Sequence, residues 1–136
     1  TNVGSGHLMP TGMPGIRQMW LEVVAKTAKG VEVSAKKIPF EIELLGPDGN
    51  PTMPWKAVRI GKDTRIAPRK SREMLFEFTR PERDFDPIEV RSSIYYRRIS
   101  ALAAKKMGIK ESPAIEIAGD RIQVFSNGRV EKALVN

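Results

Sequence analysis

One imidazole and no thiol bound the chemistry open to this chain. His7 is its sole histidine and cysteine is absent. Without thiols there is no disulfide, no thiolate metal site, no cysteine nucleophile and no haem attached through a Cys-x-x-Cys-His of the chain's own. A neutral imidazole can still give a nitrogen to iron. Two thioethers flank it, Met9 and Met13, and each could act as a soft axial donor. The stretch Gly6-His7-Leu8-Met9-Pro10-Thr11-Gly12 lies within a glycine- and proline-rich loop spanning residues 1–15. Glycines there permit close approach of a bulky planar group, and prolines stiffen the loop. From the residues alone, His7 is an iron ligand, a hydrogen-bonded loop residue or plain surface. The other methionines are scattered without ligand spacing and read as core filler.

Few other side chains suggest a reaction. No serine has the strand-turn-helix setting of a nucleophile elbow, so no catalytic residues are assigned and enzymatic activity is not expected. Asp84, Asp86 and Glu89 lie close in sequence, but they lack the repeated oxygen-ligand spacing of a calcium loop and read as solvated acids. No metal site within the domain is expected. The net charge of +7 suits an anionic neighbour. Arg65, Arg69, Lys70 and Arg72, then Arg91, Arg97 and Arg98 around Tyr95, form its densest basic runs. Neither an RNA-binding glycine-aromatic signature nor a basic helix accompanies them, so a nucleic-acid partner is not expected. Trp20 and Trp55 could line a carbohydrate platform, but their apolar neighbours favour core packing for both.

The elements that must position these residues are mostly strands. Ile16 to Lys26 and Val31 to Lys36 suggest a hairpin turning at Ala28-Lys29-Gly30. Phe40, Ile42 and Leu44 alternate with Glu41 and Glu43 before the turn residues Pro47-Asp48-Gly49-Asn50. Trp55 to Ile60, Ser71 to Phe78 and Ile88 to Ile99 are further strand expectations. Ser100 to Met107 changes to a helical pattern, with Ser100 as cap, lysines near the C-terminal end and Gly108 placed for a left-handed stop. Ile115-Glu116-Ile117, Ile122 to Phe125 and Arg129 to Glu131 follow, the last two joined by Asn127-Gly128. Asn-Gly between β-forming runs marks a hairpin. About seven short strands and one helix predict an all-β, antiparallel, immunoglobulin-like β-sandwich.

The length, 136 residues, suits a single sandwich domain over 1–136, since a second domain would leave both halves short of core. No run approaches the roughly eighteen apolar residues of a transmembrane segment. The absence of a leader and the opening at Thr1 suggest a processed or excised piece.

Residues 6–12, followed by Ile16-Arg17-Gln18-Met19-Trp20-Leu21-Glu22-Val23, resemble the opening of the cysteine-free C-terminal β-domain that follows the haem-binding segments of certain bacterial multihaem c-type cytochromes. Asp63-Thr64-Arg65-Ile66-Ala67-Pro68, Ile94-Tyr95-Tyr96-Arg97-Arg98 and Pro113-Ala114-Ile115-Glu116-Ile117-Ala118 continue the likeness in order. Residues 119–136 depart from it and read as a C-terminal hairpin extension. The resemblance implies a non-catalytic accessory domain that packs against or shields haem in an electron-transfer protein. Haem c would be held by a haem-bearing segment of the same chain, none being held by this fragment, and a redox partner protein would complete the path. It also implies export to the periplasm or cell surface. His7 would be an axial ligand or lie next to one, with Met9 and Met13 as lesser candidates. The alternative from the residues is a free-standing extracytoplasmic sandwich that binds an anionic polymer or glycan through a basic face.

Overall fold

The computed structural model describes residues 1–133. Its strands are β1 (Gln18–Lys26), β2 (Glu32–Phe40), β3 (Ile42–Leu45), β4 (Arg59–Asp63), β5 (Ile88–Arg97), β6 (Ile115–Val124) and β7 (Val130–Lys132), with one helix, α1 (Ala101–Met107). Five strands form a sheet in the order β2-β1-β5-β6-β7, and β3 pairs with β4 in a second, two-stranded sheet. The architecture is therefore all-β, antiparallel and sandwich-like, with a single short helix among the described residues. The seven strands divide five and two between the sheets.

The chain packs as two compact units. The first comprises Thr1–Trp20, Pro39–Glu73 and Tyr95–Ile115; the second comprises Leu21–Ile38, Met74–Ile94 and the chain from Glu116 onward. In the second unit, Val23 and Ala25 of β1 meet Ile88 and Val90 of β5 in a buried cluster, with Phe76, Phe78, Ile122 and Val124 half-buried against it. These β-branched and aromatic residues lie at alternate positions because successive strand side chains point to opposite faces. In the first unit, Trp20 is 5% exposed. Its ring stacks on Tyr95 at 5.4 Å and the Arg97 guanidinium lies 5.5 Å from the ring centre. Arg97 also bonds Glu111 at 3.0 Å.

Local chemistry sets most element ends. Ser100 Oγ accepts the Ala103 amide at 3.0 Å and donates to the Gly15 carbonyl at 2.9 Å, so one buried hydroxyl both caps α1 and ties down the N-terminal loop. Gly108 ends the helix at φ 66°, where a side chain would be strained. Asn127 and Gly128 form the β6–β7 turn, with Gly128 at φ 82°. Asp48 receives the Asn50 side-chain and backbone N–H groups, which hold its carboxyl below the usual range. Ile122–Val124 of β6 pair antiparallel with Val130–Lys132 of β7, and residues 134–136 of the expected 119–136 extension lie outside the described part.

Three local expectations give way. Trp55 is 58% exposed, because Pro54 begins a short 3-10 turn, Pro54–Lys56, in place of the expected strand. The strand there starts only at Arg59. Ser71 to Phe78 joins no sheet among the described residues, although its burial alternates from Met74 onward as a strand's would. Ile115–Ile117 and Ile122–Val124 are two ends of one strand, β6.

Candidate functional site

The loop bearing His7 is held by backbone and amide bonds within the first unit. Met9 and Ile66 exchange both backbone bonds at 2.9 Å, an antiparallel bridge. Asn2, 1% exposed, donates from Nδ2 to the His7 carbonyl at 2.9 Å and the Ile66 carbonyl at 3.0 Å. Its own backbone bonds Arg69 and Lys70. Two carbonyl acceptors fix which end of the amide is nitrogen, leaving Oδ1 buried without a partner. Loop 6–12 and the stretch Asp63 to Pro68, far apart in sequence, are thereby joined as one construction.

Asp63 and Thr64 hold the second of these stretches in place. Arg65 donates to Asp63 through Nε at 2.9 Å, Nη2 at 2.7 Å and its backbone N–H at 3.1 Å. Thr64 Oγ1 accepts the Glu41 amide and contacts the Pro39 and Glu41 carbonyls. The guanidinium bonds hold the Asp63 carboxyl below its ordinary value of 3.8. A depressed carboxylate contributes stability that is fully present above that ordinary value and lost as pH falls through the lower folded value. Asp63→Asn is therefore expected to cost about 0.5 kcal/mol at pH 7, a figure kept small because the carboxylate is 35% exposed. Urea unfolding of both proteins at a series of pH values should show the difference shrinking as pH falls below 3.8. A pH-independent difference would remove the ion pair from the account.

His7 is exposed, with its ring turned back on its own loop. Nδ1 lies 2.9 Å from Ser5 Oγ and 3.3 Å from the Leu8 carbonyl oxygen. Ser5 Oγ also lies 3.0 Å from the His7 carbonyl, to which it donates. A hydroxyl has one proton, and a carbonyl only accepts. With the Ser5 proton on the His7 carbonyl, Nδ1 must carry hydrogen to satisfy both Ser5 Oγ and Leu8 O. That tautomer leaves the lone pair on Nε2, which makes no hydrogen bond to any described residue. An imidazole held by Nδ1–H with Nε2 presented outward is the form in which a protein histidine binds metal.

The structure does not group the three expected donors. Met9 is half-buried in the bridge to Ile66. Met13, 54% exposed, lines a shallow hollow of only about 10 Å³ with Pro10, Arg17, Glu41 and Arg65, of which His7 is not part. Among the described residues no cluster of three or more His, Cys, Asp or Glu side chains could hold a metal ion. Of the three candidate donors, His7 is the one that is exposed with its ring held by hydrogen bonds of its own loop. Asn2 and Ser5, which hold that ring and its loop, carry no sequence signature and were not among the expected residues.

Four cations of the basic runs are held by internal contacts, while Arg69, Lys70 and Arg98 of the same runs are exposed. Arg65 is paired with Asp63, Arg91 with Glu116 at 2.7 Å and Arg97 with Glu111. Arg72 donates to the Thr64 carbonyl and lies over Phe40. These cations are spent on internal contacts, which weakens the anionic-polymer alternative. No helix among the described residues is long and apolar enough to cross a membrane.

No protein-family model and no curated protein matches the chain. Among solved structures it is similar to a penta-heme cytochrome c552 from Thermochromatium tepidum, with a TM-score of 0.71 and 26% identity over 87% of the chain. The chain spans about a third, 33%, of that cytochrome's length.

Proposed function

We propose that the chain is a non-catalytic accessory domain of a multihaem c-type cytochrome, packed against the haem-bearing part of a longer polypeptide. The observation that carries this reading is the likeness, at a TM-score of 0.71, to one-third of a penta-heme cytochrome. The domain's work is to cover a haem edge, exclude water and fix the orientation of a cofactor attached elsewhere in the chain. His7 adds one contact of its own, Nε2 directed to a haem iron, with Ser5 and the Leu8 carbonyl holding the ring. Burial, hydrogen bonding and axial ligation are the means by which protein tunes haem potential, so the domain takes part in electron transfer by setting that potential. Export to the periplasm or cell surface follows from the same reading.

The test combines a gene with a spectrum. Cys-x-x-Cys-His motifs are expected in the parent gene, outside these 136 residues. The 136-residue chain itself, made in cells that mature c-type cytochromes, should be colourless because it has no thiol for attachment. A parent gene with no such motif would overturn the proposal, as would a covalently bound Soret band in the short chain.

A further inference from the structure

The run from Met74 to Thr79 has the side-chain pattern of a strand and none of a strand's bonds. Met74, Phe76 and Phe78 are half-buried, while Leu75, Glu77 and Thr79 are exposed. Phe76 and Phe78 pack on the core of the second unit, their rings 6.0 Å apart. Such alternation belongs to a strand with one wet face. Yet, among the described residues, none of the run makes a backbone–backbone hydrogen bond or joins either sheet. Arg80 fixes the end of the run, donating to the Asp84, Asp86 and Val124 carbonyls at 3.3, 2.6 and 2.8 Å. The alternating burial is that of an extended strand, and the run's N–H and C=O groups make no backbone bond to any described residue, which leaves a template for another strand.

Edges meant to stay bare look different. The edge strand β2 carries Lys36, Lys37 and Pro39, residue types that discourage pairing. The run 74–79 has neither lysine nor proline, and Leu75 is 77% exposed.

We propose that Met74–Thr79 receives an added β-strand from the haem-bearing part of the parent polypeptide, and this rests on the function proposed above. One observation points to that occupant, and the run's own chemistry says what it should carry. About two-thirds of the similar cytochrome lies outside the matched region, since the chain covers 33% of it. The chemistry of the run also defines a complement: apolar residues continuing the Phe76–Phe78 row on one face, and a basic residue opposite Glu77 on the other. The added strand extends the second unit's core and carries the covering role of the domain onto its partner.

Hydrogen exchange on the 136-residue chain and on the haem-loaded parent protein tests this. Amides of Met74–Thr79 should exchange freely in the short chain, and alternate ones at least roughly tenfold more slowly in the parent. Equal exchange in the two proteins would overturn the added strand. Glu77→Pro, at an exposed residue whose N–H is unbonded here, should leave the short chain's melting temperature unchanged and abolish the protection in the parent. Protection retained in that variant would also count against the proposal. Should the variant fail to fold, the wild-type comparison decides. A parent without haem motifs would sink the functional reading, whereas a haem-loaded parent with free exchange here would sink the strand alone.

Discussion

His7→Ala in the haem-bearing parent protein is expected to leave one haem without its axial nitrogen, turn it high-spin and shift its reduction potential while the remaining haems stay as they were. The expectation comes from the ring's setting. Ser5 Oγ at 2.9 Å and Leu8 O at 3.3 Å both favour hydrogen on Nδ1, which leaves Nε2 as the free donor. A ligand that binds ferric iron a hundredfold better than ferrous holds the potential down by about 120 mV, at about 59 mV per tenfold for one electron, so the shift should be large enough to separate in a redox titration. Ser5→Ala then offers a graded control. It removes the hydroxyl but not the imidazole, and should keep the low-spin spectrum with a smaller potential change through altered orientation. If His7→Ala kept every spin state but moved one potential slightly, His7 would act beside the haem without touching iron. If it changed only thermal stability, His7 would be a structural loop residue.

The elements defined by local chemistry were legible in the residues. Ser100 caps α1 and Gly108 stops it because hydroxyl capping and positive φ are settled within one turn of chain. The Asn127-Gly128 hairpin is equally local. Trp55 was misread since its apolar neighbours outweighed Pro54, whose ring sets up a 3-10 turn that carries the indole outward. Within the expected strand Ser71 to Phe78, Met74, Phe76 and Phe78 are half-buried and alternate with exposed residues, as a strand pattern requires. Whether a ladder accompanies it depends on a partner strand distant in sequence, which periodicity does not report.

The candidate site's imidazole is legible in the sequence, and the support of its loop is not. A sole imidazole in a glycine-rich loop draws attention to itself, but the clamp on that loop is made by Asn2 reaching Ile66, 64 positions away. Asn2 is an ordinary polar residue near a terminus until its burial is known. The likeness of loop 6–12 and of 63–68 to one family was recorded as two separate stretches; the Met9–Ile66 bridge makes them one. Arg65, Arg91 and Arg97, in the runs that carried the alternative of a basic binding face, are each paired to a carboxylate, which no one-dimensional reading of charge could show.

Ile88→Ala is expected to cost about 2–5 kcal/mol of unfolding free energy, the range for truncating a buried isoleucine. Ile88 is fully buried among Val23, Ala25 and Val90, and close-packed neighbours relax only in part around a lost side chain. Ordinary domains hold about 5–15 kcal/mol in all, so the variant should unfold at much lower urea and populate unfolded chain at modestly raised temperature. Ile88→Val, which keeps the branch and loses one methyl, should cost about 1 kcal/mol. Trp55→Ala removes a larger side chain, but one 58% exposed, and should stay within about 0.5 kcal/mol of wild type. The ordering is the informative result, because it inverts what side-chain size alone predicts. A Trp55→Ala loss as large as that of Ile88→Ala would mean that the indole is covered in solution, and the exposed reading of the Pro54–Lys56 turn would fall.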